Sequence, residues 1–339
     1  MRVIRFLIGL ILLPTLMTAV AANAEPTRSR GCGMMSPTTP GETSQEVLIH
    51  DGLERIYRVH VPTGYQRTIP TSLVVSFHGF GGSAAGQELG TEMSLHADEN
   101  GYMVVYPQGS GSSRSWNDLA LNASPGPEGP TCANDAFEYG CPLECSEIVC
   151  ADHCNTVSCN DDLGFMDAML DEIGDNYCID LKRVYATGFS QGAGFADRVG
   201  CDMADRFAAI APASGTLVRG FNCAPDGSRK SSLLHIHGLS DQWIRPDGKK
   251  TADGFFYTPV ANVVEKWASD ASQSCDLDET PYPTSADGLK QFACTQRANC
   301  ATGAEVVSCF WKANHTMPEW RDNNFGNEVI WTFFDKNGR

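Results

Sequence analysis

Five short, almost unbroken apolar runs decide what this chain can fold into: SLVVSFHG (72–79), YMVVYPQG (102–109), RVYATG (183–188), AAIAPASG (208–215) and LLHIHG (233–238). A strand with one face in water alternates polar and apolar residues, so runs this continuous read as strands buried on both faces. Helical periodicity falls between them, in DDLGFMDAMLDEIGDNY (161–177), AGFADRVGCDMADRF (193–207) and PVANVVEKWASD (259–270). Strand, helix, strand in repetition predicts an α/β fold with a doubly wound, mostly parallel sheet and helices on both of its faces. Outside this unit, VLIHDGLERIYRVHVP (47–62) reads as two strands around a turn at Asp51-Gly52. LKQFACT (289–295) and EVVSCFW (305–311) read as a second strand pair, and VIWTFFDK (329–336) as a closing helix.

The first residues are of another kind. Arg2 and Arg5 precede an apolar run of about a dozen residues, and Ala22-Asn23-Ala24 supplies the small residues of a cleavage site. Pro14 interrupts the run, which is shorter than the roughly 20 residues a membrane span needs. Residues 1–24 therefore read as a secretory signal peptide and 25–339 as one catalytic domain, secreted or periplasmic and free of the membrane after cleavage. Removing the two arginines takes the formal net charge from −16 to −18, a surface that repels phosphate backbones and argues against nucleic acid as a partner.

All 14 cysteines follow the signal peptide, and an even number in an exported chain implies disulfides. Six of them crowd into residues 117–160, a stretch with no sustained period and too long for an ordinary connection in a compact domain. It reads as a disulfide-stapled insertion at the edge or top of the sheet. Cys141, Cys145, Cys150, Cys154 and Cys159, with His153 beside them, also have the spacing of a zinc site, but an oxidising compartment favours bridges, and no metal is expected. Cys294 and Cys309 can face each other across the second strand pair, and Cys275–Cys300 would staple the connection leading into it.

GFSQG (188–192) lies where one buried run ends and a helical pattern begins. That is the context a nucleophilic serine needs, lifted on a sharp turn at the N-terminus of a helix. The remaining parts follow in the order Ser, acid, His. HIHGLSDQW (235–243) places Asp241 three residues past the Gly that ends a strand, and His315 in FWKANHTMPEW (310–320) lies just beyond the next strand. His315 would take the Ser190 proton, with Asp241 holding its tautomer. His235 and His237 lie inside a strand and read as core histidines. HGFGG (78–82) is a Gly-rich loop placed to supply a second oxyanion donor. The backbone N–H groups of Gln191 and Phe80 are the candidates, with His78 supporting the loop through its ring nitrogens.

The combination of GCG…PTTPGETS, RIYRVHVPTGY, SLVVSFHGFGG, YPQG…SWND, DDLGFMDAML, CIDLKRVYATGFSQGAGFA, CDMADRFAAIAPASG and HGLSDQWIRP resembles the exported carbohydrate esterase family 1 group of feruloyl esterases and poly(3-hydroxybutyrate) depolymerase-type hydrolases. The resemblance runs from about residue 31 to the C-terminus, interrupted by the cysteine-rich insertion. It implies an α/β-hydrolase fold with Ser190, Asp241 and His315 as the triad. Two departures stand out: Met317 where the family often has Trp, and the insertion itself, which should neighbour the pocket.

The expected activity is ester hydrolysis through an acyl-enzyme, with no cofactor, by a monomer acting on feruloylated polysaccharide. Phe80, Trp116 and Trp243 would border the pocket, since aromatic walls suit a flat aromatic acyl group. An aliphatic polyester depolymerase uses the same chemistry and is the alternative. A non-catalytic binding protein on a hydrolase scaffold would need a lost triad member, and none is lost.

Overall fold

A computed structural model of the chain describes residues 25–118, 128–140, 142–146, 154, 156–220, 231–301, 303–318 and 325–339; residues 1–24, expected to be a signal peptide, and part of the cysteine-rich stretch lie outside the described residues. The predicted hairpin is present as β1 (Thr43–His50) and β2 (Leu53–His60), with Asp51 and Gly52 both at positive φ in the turn. The five buried runs are β3 (Thr71–Phe77), β4 (Met103–Pro107), β5 (Ile179–Phe189), β6 (Ala209–Ala213) and β7 (Ser232–Gly238). With β8 (Glu279–Pro281), β9 (Ala293–Arg297) and β10 (Val306–Trp311) they form a ten-stranded sheet in the order β1-β2-β4-β3-β5-β6-β7-β10-β9-β8. From β4 to β10 neighbouring strands run parallel, and antiparallel strands close both edges.

Burial explains the continuous runs. In β3, Leu73, Val75 and Phe77 enter one core layer while Val74 enters the other, so every position must be apolar or small. The first layer is covered by α3 (Asp162–Asn176), α4 (Gln191–Asp202) and α5 (Val260–Ser269). The second is covered by α1 (Ala84–Thr91), α2 (Met93–Asn100) and α6 (Phe325–Lys336). Residues 289–291, predicted as the start of a strand, form a 3₁₀ turn instead, because Gly288 and Lys290 sit at positive φ.

The chain leaves β3 towards β4 on one side and leaves β5 towards β6 on the other. The carboxyl ends of β3 and β5 therefore flank a crevice that no crossover fills, the usual ligand position in an open α/β sheet.

The cysteine-rich stretch grows from a narrow neck. One carboxylate oxygen of the buried Asp162 accepts the Asn117 N–H and the Ser158 hydroxyl, both at 2.7 Å, and the other accepts from buried Arg55 at 2.5 Å. Cys132–Cys154 and Cys145–Cys159 staple it internally, so these sulfurs are committed to bridges and not to a metal-ligand set. The predicted pairs Cys275–Cys300 and Cys294–Cys309 are present, and Cys32–Cys178 ties the N-terminal segment to the start of β5. Five bridges lie among the described residues, and such bridges form and persist in oxidising compartments.

Candidate active site

Ser190 stands between β5 and α4 with φ 58 and ψ −124, a conformation that costs a non-Gly residue energy and persists only where packing imposes it. The flanking glycines are demanded by contact. A Cβ on Gly188 would lie 2.2 Å from Gly192 O, and one on Gly192 would lie 2.4 Å from His78 O. No other side chain fits either place.

The loops after β7 and β10 bring the other two groups. His315 Nε2 is 2.9 Å from Ser190 Oγ, and His315 Nδ1 is 2.8 Å from Asp241 Oδ2. The two loops hold each other, with Leu239 N–H donating to Trp311 O and Ser240 N–H to Ala313 O, each at 2.9 Å. Ser214 fixes the histidine loop from β6 by donating its hydroxyl to Thr316 O at 2.6 Å. The Asp241 side chain has no exposure, and Oδ1 accepts the N–H groups of Trp243 (2.9 Å) and Ile244 (3.0 Å). Burial alone would raise its pKa, but hydrogen bonds from His237, His315 and the Ile244 amide outweigh it and hold the carboxyl well below the usual carboxylate range.

His237 does more than fill the core. Its Nε2 lies 2.8 Å from Ile244 O and 3.4 Å from Asp241 Oδ2, so its proton serves the turn that orients the acid. The i, i+4 spacing in HIHGLSD was the available signal. His235 is fully buried, with Nε2 3.3 Å from His237 Nδ1 and, among the described residues, no partner for its own Nδ1; burial holds its pKa well below the ordinary value.

The loop after β3 reaches the serine through Gly79, where a Cβ would lie 3.1 Å from Ser190 Cβ. His78 Nε2 accepts the Gly109 N–H at 2.9 Å, so the proton sits on Nδ1, which donates to Gly79 O at 2.7 Å. A trans peptide points its N–H opposite its C=O. Locking Gly79 O, which also accepts the Gly82 N–H at 2.9 Å, therefore fixes the direction of the Phe80 N–H. Burial pushes the His78 pKa down to about 4, which keeps the ring neutral and this pattern intact.

Around Ser190, Gln191 and His315 lies a cleft of about 240 Å³. Phe80 and Trp243 line it, the latter 52% exposed. Trp116, expected at the mouth, does not: it is fully buried, stacks on Phe195 and donates its indole N–H to His78 O at 2.8 Å. An indole needs a partner for its N–H when buried, and the end of β3 supplied one. Five wall residues escaped sequence reasoning, one of them Ile244, next to Trp243 in HGLSDQWIRP. Tyr139 and Thr156 come from the insertion, and Asp253 and Tyr257 from the long connection between β7 and α5. These four sit in no motif, and only the fold brings them here.

No family model matches the chain. It is 28% identical over 261 residues to feruloyl esterase B of Piromyces equi, covering 74% of this chain and 40% of that protein, so it spans less than half of that relative. Feruloyl esterase C of Emericella nidulans is 26% identical over 251 residues, covering 73% of this chain and 74% of that protein. Among solved structures, the acetyl xylan esterase from Aspergillus awamori superposes with a TM-score of 0.56 at 14% identity, over 86% of this chain and 99% of that one. Fold and site together define an α/β hydrolase. Within that class the similarity is to carboxylic ester hydrolases, and specifically to feruloyl esterases, as the carbohydrate esterase family 1 motifs imply.

Proposed function

We propose that this chain is an exported serine carboxylic ester hydrolase that releases hydroxycinnamates such as ferulate from plant cell-wall polysaccharide. The observation that carries the chemistry is the relay Asp241–His315–Ser190, at 2.8 and 2.9 Å, on a strained turn at a helix N-terminus. Ser190 Oγ attacks the ester carbonyl carbon as its proton passes to His315 Nε2. The oxyanion is received by the N–H groups of Gln191 and Phe80. His315 returns the proton to the departing alcohol oxygen, leaving the acyl group on Ser190. A water, deprotonated by His315, then hydrolyses the acyl-enzyme, and the proton restores the serine. Asp241 stays ionised throughout and stabilises the imidazolium.

Support for the acyl group comes from the aromatic walls, Phe80, Tyr139, Trp243 and Tyr257, and from the relatives' names. A stiff aromatic acid loses little conformational freedom between such walls. The polyester alternative gains nothing from either. The test is an ester panel with the Ser190→Ala variant. Methyl ferulate and methyl p-coumarate should show higher kcat/KM than C4 to C8 aliphatic esters, and the variant should lose about three orders of magnitude or more in turnover while melting normally. Turnover of poly(3-hydroxybutyrate) with none of methyl ferulate would overturn the acyl assignment.

A further inference from the structure

The insertion contributes a tyrosine to the cleft, and that tyrosine is not an idle aromatic wall. Tyr139 Oη donates to Asp253 Oδ2 at 2.6 Å, and Asp253 Oδ1 accepts the Thr251 hydroxyl at 2.5 Å. Both Tyr139 and Asp253 line the cleft that holds Ser190 and His315. The only proton on the phenol is committed to the carboxylate. What the pair offers the cleft is lone pairs, on the phenolic oxygen and on the carboxylate, with no proton to give. Such a group attracts a ligand hydroxyl and repels a carbonyl, an ether or an anion.

The pair is held stiffly. Ala133 N–H donates to Gly254 O (2.9 Å), Phe137 N–H to Asp253 O (2.8 Å) and Phe256 N–H to Thr131 O (2.8 Å), so the insertion is zipped onto the segment that carries Asp253. Gly254, at φ 94, allows the approach, since a Cβ there would lie 2.5 Å from Ala136 Cα. Cys132–Cys154 anchors the same stretch, and Phe80 and Phe137 pack edge-on against the Tyr139 ring at 5.2 and 4.9 Å. A recognition group with its own ring and backbone fixed loses little freedom on binding.

We propose that Tyr139 and Asp253 form a hydroxyl-recognition subsite through which the cysteine-rich insertion sets substrate choice. The inference rests on the ester hydrolase reading above. The hydroxyl can belong to the acyl group, as the phenol of a hydroxycinnamate, or to the sugar that carries the ester.

Two substrate pairs decide between these sources: methyl p-coumarate against methyl cinnamate, which lacks only the phenol, and feruloyl arabinofuranose against methyl ferulate, which lacks the sugar. The wild type should prefer the hydroxylated member of one pair, and Tyr139→Phe and Asp253→Asn should each cut that kcat/KM preference by about tenfold, the worth of one hydrogen bond to a charged group. Each preference is a ratio within one preparation, so a partly misfolded variant leaves it unchanged. Loss of the p-coumarate preference assigns the subsite to the acyl phenol, and loss of the arabinose preference assigns it to the sugar. Both ratios surviving both substitutions within twofold would overturn the subsite while leaving the esterase intact. A wild type that cleaves none of the four esters would instead bring down the functional reading itself.

Discussion

The side-chain amide of Gln191 donates to the Thr156 carbonyl at 2.8 Å, and its oxygen accepts the Trp116 N–H at 3.2 Å. Both tethers lie at the ends of the cysteine-rich insertion, so the residue after the proposed nucleophile binds the insertion with its side chain, while its backbone N–H is the proposed oxyanion donor. Gln191→Ala keeps the amide and removes the tethers. We expect kcat/KM for methyl ferulate to fall about ten- to a hundredfold through misplacement of the cleft wall, far less than for Ser190→Ala. Equal losses in the two variants would show that the side chain has a direct chemical role.

His78 makes the proposed oxyanion loop sensitive to acid. Its folded pKa of about 4 lies below the unfolded value of about 6.5. A histidine depressed in this way contributes stability that is fully present above about pH 6.5 and is lost as pH falls towards 4. Protonation would also turn Nε2 from acceptor to donor against the Gly109 N–H. Urea unfolding should show the stability gap between wild type and His78→Gln narrowing from pH 7.5 to pH 4.5. A constant gap would mean that the ring is already free to protonate.

Asp197, in α4, is fully buried with no partner for either carboxylate oxygen among the described residues, and burial raises its pKa well above the ordinary value. Here the sign is opposite. As pH rises past the unfolded carboxylate pKa, the unfolded chain releases this proton while the folded one keeps it, so stability falls by up to about 1.4 kcal/mol per pH unit from this group. Asp197→Asn has the shape of the protonated acid and does not titrate. The variant should match wild type near pH 4 and melt higher at pH 8. A lower melting temperature at both values would show that the carboxyl is wanted as it is.

Cys309 lies opposite Cys294 in the β9–β10 register, six residues before His315. The bridge closes a loop with a sequence separation of 15, worth about 3 kcal/mol in unfolded-chain entropy. The double variant Cys294→Ser, Cys309→Ser should lose roughly that amount in urea unfolding. It should lose activity on warming before the far-ultraviolet circular dichroism changes, because the histidine loop is the nearest element released. Coincident loss of the two signals would separate the bridge from the site.

The parallel strands were legible because both faces are buried, which forces apolar residues at every position and leaves no ambiguity of period. Ser190, Asp241 and His315 were legible because each follows the end of such a strand. Helices α1 and α2 were not. Each has eight residues, Glu92 at φ 51 breaks the chain between them, and small or polar residues such as Ala84, Gln87 and Ser94 face the core in place of large apolar ones. Trp116 was misplaced because a tryptophan in the loop after a strand suits a pocket wall and a buried prop equally well until its N–H partner, His78 O, is known. Tyr139 and Asp253 could not be paired from the sequence, since 114 residues separate them and their hydrogen bond exists only after the insertion folds back.

The neck at Asp162 fixes where the insertion leaves and rejoins the sheet domain. Asn117 and Ser158 are pinned to one carboxylate, so the chain between them begins and ends at nearly the same point on a rigid body. The entropy of closing such a loop grows only as the logarithm of its length, about 0.6 kcal/mol per doubling. Segments of different size could therefore be exchanged between these two residues with little strain on the sheet beneath. The insertion's share of the cleft wall, Tyr139 and Thr156, is then open to exchange, provided a grafted loop keeps the contacts these two residues make with Asp253 and Gln191.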